Sequence, residues 1–97
     1  MPRKIIWSDK AISDYSSNVD YLLLKWSIKD AREFTTKVHD ILNLLPSLPE
    51  MFPLSDYKDV RKGIVCKQIS ILYQVKKSEI ILLRFWDNRQ NPKKKKI

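Results

Sequence analysis

One glycine, one cysteine and one histidine in 97 residues set the first limits on what this chain can do. Gly63 alone cannot build a glycine-rich loop that cradles phosphate. Cys66 has no partner for an internal disulfide and suits a reducing compartment; a small strand residue is its simplest role. With a single histidine, His39, and no clustered carboxylates, a tetrahedral metal site cannot be filled, so neither metal nor cofactor is expected. His39 lies between Val38 and Asp40 on what reads as the polar side of a helix, the place of a solvated side chain. The carboxylates are scattered, and no spacing marks an acid/base pair. No apolar run approaches the roughly 18 residues of a membrane-spanning helix, since Lys25 interrupts Leu22–Leu24. Nor does the start, Met1-Pro2-Arg3-Lys4 followed by two apolar residues, hold a signal-peptide core. A cytoplasmic protein without a membrane partner is expected.

Charge is what the chain has in excess. Its formal net charge is +8, distributed unevenly. Residues 1–46 carry seven basic and six acidic side chains (+1), and residues 47–97 carry twelve and five (+7). A basic C-terminal half points to an anionic partner, either nucleic acid or an acidic protein segment. Half of the excess sits in the run Lys93–Lys96, which reads as a frayed basic tail over residues 93–97.

The hydrophobic pattern predicts one domain over residues 1–97 with the order β-α-α-β-β-β. Lys4-Ile5-Ile6-Trp7 is a short strand, ended by Ser8 as N-cap and Asp9 in the first helical turn. Ile12, Tyr15, Val19, Leu22, Leu23 and Trp26 then recur at helical steps and are expected to form one buried face. Ser27-Ile28-Lys29-Asp30 has the form of a capping box. It opens a second helix with Ala31, Phe34, Thr35, Val38, Ile41, Leu42 and Leu45 on one side, until Pro46 stops it. Two helices with so short a joint must fold back as a hairpin. Three prolines, Pro46, Pro49 and Pro53, make residues 46–57 an extended connection. Beyond it the period becomes two, giving strands at Val60–Val65, Ile69–Val75 and Glu79–Trp86. Lys76-Lys77-Ser78 is short enough to pair the last two as antiparallel neighbours. Gly63 stands where a bulge would bend its strand.

An α+β fold follows, with the helical hairpin on one face of a small, mainly antiparallel sheet. Strict alternation in the last strand would send Ile80, Leu82 and Trp86 one way and Ile81, Leu83 and Phe85 the other. A helical hairpin covers only one of these faces. The other is expected to lie open, with no further element to cover it, and is a candidate partner surface.

The side chains left to carry function are Lys58, Arg61, Lys62, Lys67, Arg84 and Arg89, with the rings of Tyr73 and Trp86 near them in the strand pattern. Such a set suits phosphates and stacked bases, or an acidic peptide bound by charge-assisted hydrogen bonds; a solvated strand face explains it too.

The order of these segments resembles the RelE/ParE toxin superfamily. The resemblance rests on Val60-Arg61-Lys62, then Ile69-Ser70-Ile71-Leu72-Tyr73-Gln74-Val75, then Glu79–Arg84 and Asn88-Arg89. The N-terminal half agrees through the early helical Ala11, Trp26 ahead of Asp30-Ala31, and Leu45-Pro46 closing the second helix. The match spans about residues 3–92. It implies the toxin of a type II toxin–antitoxin pair, a class tied to plasmid stabilization and growth inhibition. It also implies an antitoxin partner, whose acidic segment would cover the second sheet face.

The branch decides whether the chain is an enzyme. RelE-like members cut ribosome-bound mRNA with several Lys/Arg side chains and a Tyr or His near the C-terminus. Matching Tyr73-Gln74-Val75 to their pattern places Ser70 where an arginine should stand. Gly63 stands where a lysine should, and no Tyr or His falls in Lys93–Lys96. Arg61 and Arg89 are the catalytic candidates that survive, about two of five roles. Each missing charge-stabilising or acid/base group typically costs about 10²–10⁴-fold. The pattern is therefore closer to the ParE branch, whose members resemble binding proteins that poison DNA gyrase. On that reading Arg61, Lys62, Lys67, Tyr73, Arg84, Trp86 and Arg89 contact target or antitoxin. A ribosome-dependent mRNA endoribonuclease is the alternative, and a non-catalytic nucleic-acid-binding module a further one.

Overall fold

The computed structural model describes residues 3–88 and residue 97, so Arg89 and the lysine run lie outside the described residues. The element order is β1 (Lys4–Trp7), α1 (Asp9–Lys25), α2 (Ile28–Leu44), β2 (Arg61–Cys66), β3 (Ile69–Val75) and β4 (Glu79–Asp87). This is the expected β-α-α-β-β-β order. The four strands form one sheet in the order β1-β4-β3-β2. β1 runs parallel to β4, while β2–β3 and β3–β4 are antiparallel.

Both helix starts are set locally. The Ser8 hydroxyl oxygen accepts from the Ala11 amide at 3.0 Å, capping α1, and donates to the Leu83 carbonyl at 3.1 Å. Ser27 accepts from the Asp30 amide at 3.1 Å and donates to the Asp30 carboxylate at 2.8 Å. The pair closes side chain to side chain, because aspartate is a methylene shorter than the glutamate that would reach the cap backbone.

α2 buries the face its sequence marks: Ala31, Phe34, Val38, Ile41 and then Leu45. α1 sits rotated from the expected phase. Ala11 and Leu22 are buried, with Tyr15 and Val19 packed beside them, whereas Ile12, Leu23 and Trp26 are exposed. The smallest side chain faces the sheet because α1 approaches β4 closely enough for polar side chains of the helix to bond the strand backbone. The core lies between the hairpin and one sheet face, built on Phe34, Ile69, Ile71, Tyr73, Ile80, Leu82 and Phe85. Trp7, Tyr15, Phe34 and Phe85 form a ring cluster with centroids 5.4–6.3 Å apart.

Two irregularities decide which side chains reach which face. The β3–β4 register shifts between Leu72 and Tyr73, which pair with Arg84 and Leu82 and leave Leu83 as the extra residue. This bulge overturns the strict alternation expected of β4. Phe85 joins Ile80 and Leu82 in the main core, and Trp86 turns to the opposite face. In β2 the shift falls between Ile64 and Cys66, next to the residue expected to cause it. Gly63 has a different role: a Cβ there would overlap the Phe52 ring.

The connection after α2 is not simply extended. It turns repeatedly through Ser47, Leu48 and Met51, then packs on the sheet through Phe52. It next crosses to the second face, where Tyr57 and Val60 bury Leu72 and Trp86. The expectation that nothing in the chain covers that face is thus corrected in part. Asp59, at φ 59°, takes the left-handed conformation that reverses the chain into Val60. No helix among the described residues is long and apolar enough to cross a membrane.

Candidate functional site

β1 pairs with β4 only as far as Leu82, so β4 is an unpaired edge beyond that point. α1 completes it. The Asp14 carboxylate accepts from the Phe85 amide at 3.1 Å, and the Asn18 side-chain amide donates to the Phe85 carbonyl at 3.1 Å. Two helical side chains thus satisfy the groups a further strand would pair. The same carboxylate takes a two-pronged bond from Arg84, Nε at 2.6 Å and Nη2 at 3.0 Å. That hydrogen bond to Asp14 raises the Arg84 guanidinium above its ordinary range against the opposing effect of burial. Arg84 also stands 5.7 Å from the Trp86 ring centroid.

Trp86 is buried, packed edge-on against Tyr57 at 5.6 Å. Tyr73, expected at a contact surface, is fully buried in the main core and donates to the Pro49 carbonyl at 2.8 Å. Burial pushes its phenol above the ordinary value. Arg61 faces the same way and holds the connection, donating to the Phe52 carbonyl at 2.8 Å and pairing with Glu50 at 3.7 Å. Lys62 and Lys67 are exposed. The structure therefore separates the expected set. Lys62 and Lys67 lie on the surface around β2, Arg84 and Trp86 form a half-buried unit beside α1, Arg61 and Tyr73 brace the connection, and Arg89 is outside the described residues.

Ser70 completes the picture on β3. It is buried, donates to Asn88 Oδ1 at 2.5 Å, and Asn88 in turn donates to the Lys67 carbonyl at 3.3 Å. This position serves to pin the end of β4 to the β2–β3 turn. His39 is exposed on α2, 3.3 Å from the Asn43 side-chain amide.

Sequence reasoning missed two surfaces. At the hairpin tip Leu23, Leu24, Trp26 and Ile28 are all exposed, although two of them fit the expected buried face. Beside that tip, a groove of about 900 Å³ runs between α2 and the end of β2, lined in part by Trp26, Lys37, Val65 and Lys67. Neither carries a motif; the rotation of α1 exposes the tip, and the packing of α2 on β2 forms the groove.

A helical hairpin over a β1-β4-β3-β2 sheet, with basic side chains around its strands, is the architecture of small toxins from toxin–antitoxin systems. Residues 5–92 match the family described as ParE toxin of type II toxin-antitoxin system, parDE. The chain belongs to this ParE toxin family and is a ParE-type toxin. The solved chromosomal ParDE system from P. aeruginosa is 19% identical with a TM-score of 0.73, covering 88% of this chain and 95% of that one. A copper-bound mutant toxin from Helicobacter pylori is 20% identical, with TM-score 0.64 and coverage of 91% and 96%. The E. coli DinJ–YafQ toxin–antitoxin complex is 15% identical, with TM-score 0.60 and coverage of 90% and 93%. At these identities the likeness is one of fold. Comparison with curated protein sequences gives no significant match.

Proposed function

We propose that this ParE-type toxin acts in the cytoplasm as a single domain by binding DNA gyrase, and that a cognate antitoxin holds it inactive. The observation that carries the reading is Ser70. Where the ribonuclease branch has an arginine, this chain has a buried serine that holds Asn88. Arg61, one of the two catalytic candidates that branch would keep, is engaged with Phe52 and Glu50 instead. The chain's net positive charge suits binding to an anionic partner, while Arg61 is committed to bracing the connection. Lys62, Lys67 and Arg89 are the proposed direct contacts to target or antitoxin, with Arg84 and Trp86 shaping the adjoining surface. The antitoxin's acidic segment would cover what Tyr57 and Val60 leave open on the second face, which includes Ile64.

Purified protein incubated with gyrase and supercoiled plasmid should trap cleaved DNA once the reaction is quenched with detergent and protease. Gyrase left fully active, with ribosome-bound mRNA cut instead, would favour the ribonuclease reading.

A further inference from the structure

β2 is the outer strand on one side of the sheet, and its free edge is closed only in part. The Lys62 amide points outward and donates to the Pro53 carbonyl at 3.0 Å, and Leu54 forms a bridge with Arg61. Amide direction alternates along an antiparallel strand. The N–H and C=O of Ile64 therefore point outward as well, and among the described residues no group meets them. The Ile64 side chain is 66% exposed. Val65 and Cys66, the next two residues, line the groove under α2, which Trp26 also lines at 50% exposure.

The strand and the turn after it carry charge of one sign. Residues 61–68 hold Arg61, Lys62 and Lys67 and no carboxylate. Arg61 is paired with Glu50, so Lys62 and Lys67 flank Ile64 as exposed cations. Across the groove, Lys29, Arg32 and Lys37 are balanced by Asp30, Glu33 and Asp40, so the excess positive charge belongs to Lys62 and Lys67. A second copy of this chain placed edge to edge would bring these lysines against their own equivalents, which disfavours self-pairing.

We infer that the β2 edge takes an extended acidic peptide segment. Its main chain pairs with Ile64, its carboxylates meet Lys62 and Lys67, and an apolar side chain enters the groove beside Trp26. An unpaired strand edge accepts only an extended main chain, and flanking cations select carboxylates. The inference rests on the toxin reading, which makes the cognate antitoxin the source of the segment.

The test uses the complex of this chain with the protein encoded by the adjoining gene, followed by amide hydrogen exchange. In the complex the Ile64 amide should exchange at least tenfold more slowly than in the free chain. Ile64→Pro removes an N–H the fold itself does not use, and should weaken the complex at least tenfold more than Ile64→Thr, which keeps that N–H. Lys62→Glu with Lys67→Glu should weaken it as well, by less as salt is raised, and this pair decides the matter if the proline variant fails to fold. A complex in which Ile64 exchanges as in the free chain, and in which the charge reversals have no effect, would overturn the inference and leave the toxin reading standing. Absence of any complex would sink both. Protection of Ile64 that grows with the concentration of the free chain would assign the edge to a second copy and also overturn it.

Discussion

Asp14 serves two kinds of donor at once, the guanidinium of Arg84 and the backbone amide of Phe85. Both lie in a half-buried setting where lost bonds are only partly replaced by water. Asp14→Ala should therefore lower stability by about 1–3 kcal/mol, read as a shifted urea midpoint with an unchanged slope. Tyr73 offers a second test. Burial raises its phenol above 10.0, so the folded chain keeps the proton after the unfolded chain releases it. Its contribution is whole below about pH 10 and is lost as pH rises through the folded value. Tyr73→Phe should cost about 1 kcal/mol at neutral pH through the lost bond to Pro49 and make the alkaline decline shallower. Tyr15, raised by burial too, keeps its own share of that decline.

Elements carry the next set of constraints. Ser27 is the cap that separates two helices with almost no loop between them, and Ser27→Ala should cost about 1 kcal/mol, measured by thermal or denaturant unfolding. Gly63 admits the Phe52 ring against β2, so Gly63→Ala forces the connection off the sheet. Overpacking of this kind costs about 1–3 kcal/mol, and faster proteolysis within residues 46–60 should accompany it. At this scale much was legible in advance. The order of elements, the bounds of β3 and the buried face of α2 follow from period and punctuation. The phase of α1 did not, because Ala11 and Ile12 both fit a helical repeat and only close approach to β4 selects the smaller one. The bulge at Leu83 was also hidden, since an extra residue leaves no trace in a strand that is apolar on both faces. It is this bulge that puts Phe85, rather than Trp86, on the face of Ile80 and Leu82.

For the whole molecule, the candidate site was legible as chemistry rather than as geometry. The basic C-terminal half and the missing arginine at Ser70 can be read from the chain. That Arg61 and Tyr73 are committed to the connection cannot, because residues 46–57 give no sign of which strand they will pack on. Family membership fixes the protein as a ParE-type toxin, and the proposal that it does not cut RNA rests on the buried Ser70. The most direct test induces the protein in cells and maps mRNA 5′ ends alongside the DNA-damage response. The account predicts gyrase-dependent DNA breaks and an SOS response with no codon-phased cleavage. Codon-phased mRNA cleavage without an SOS response would contradict it.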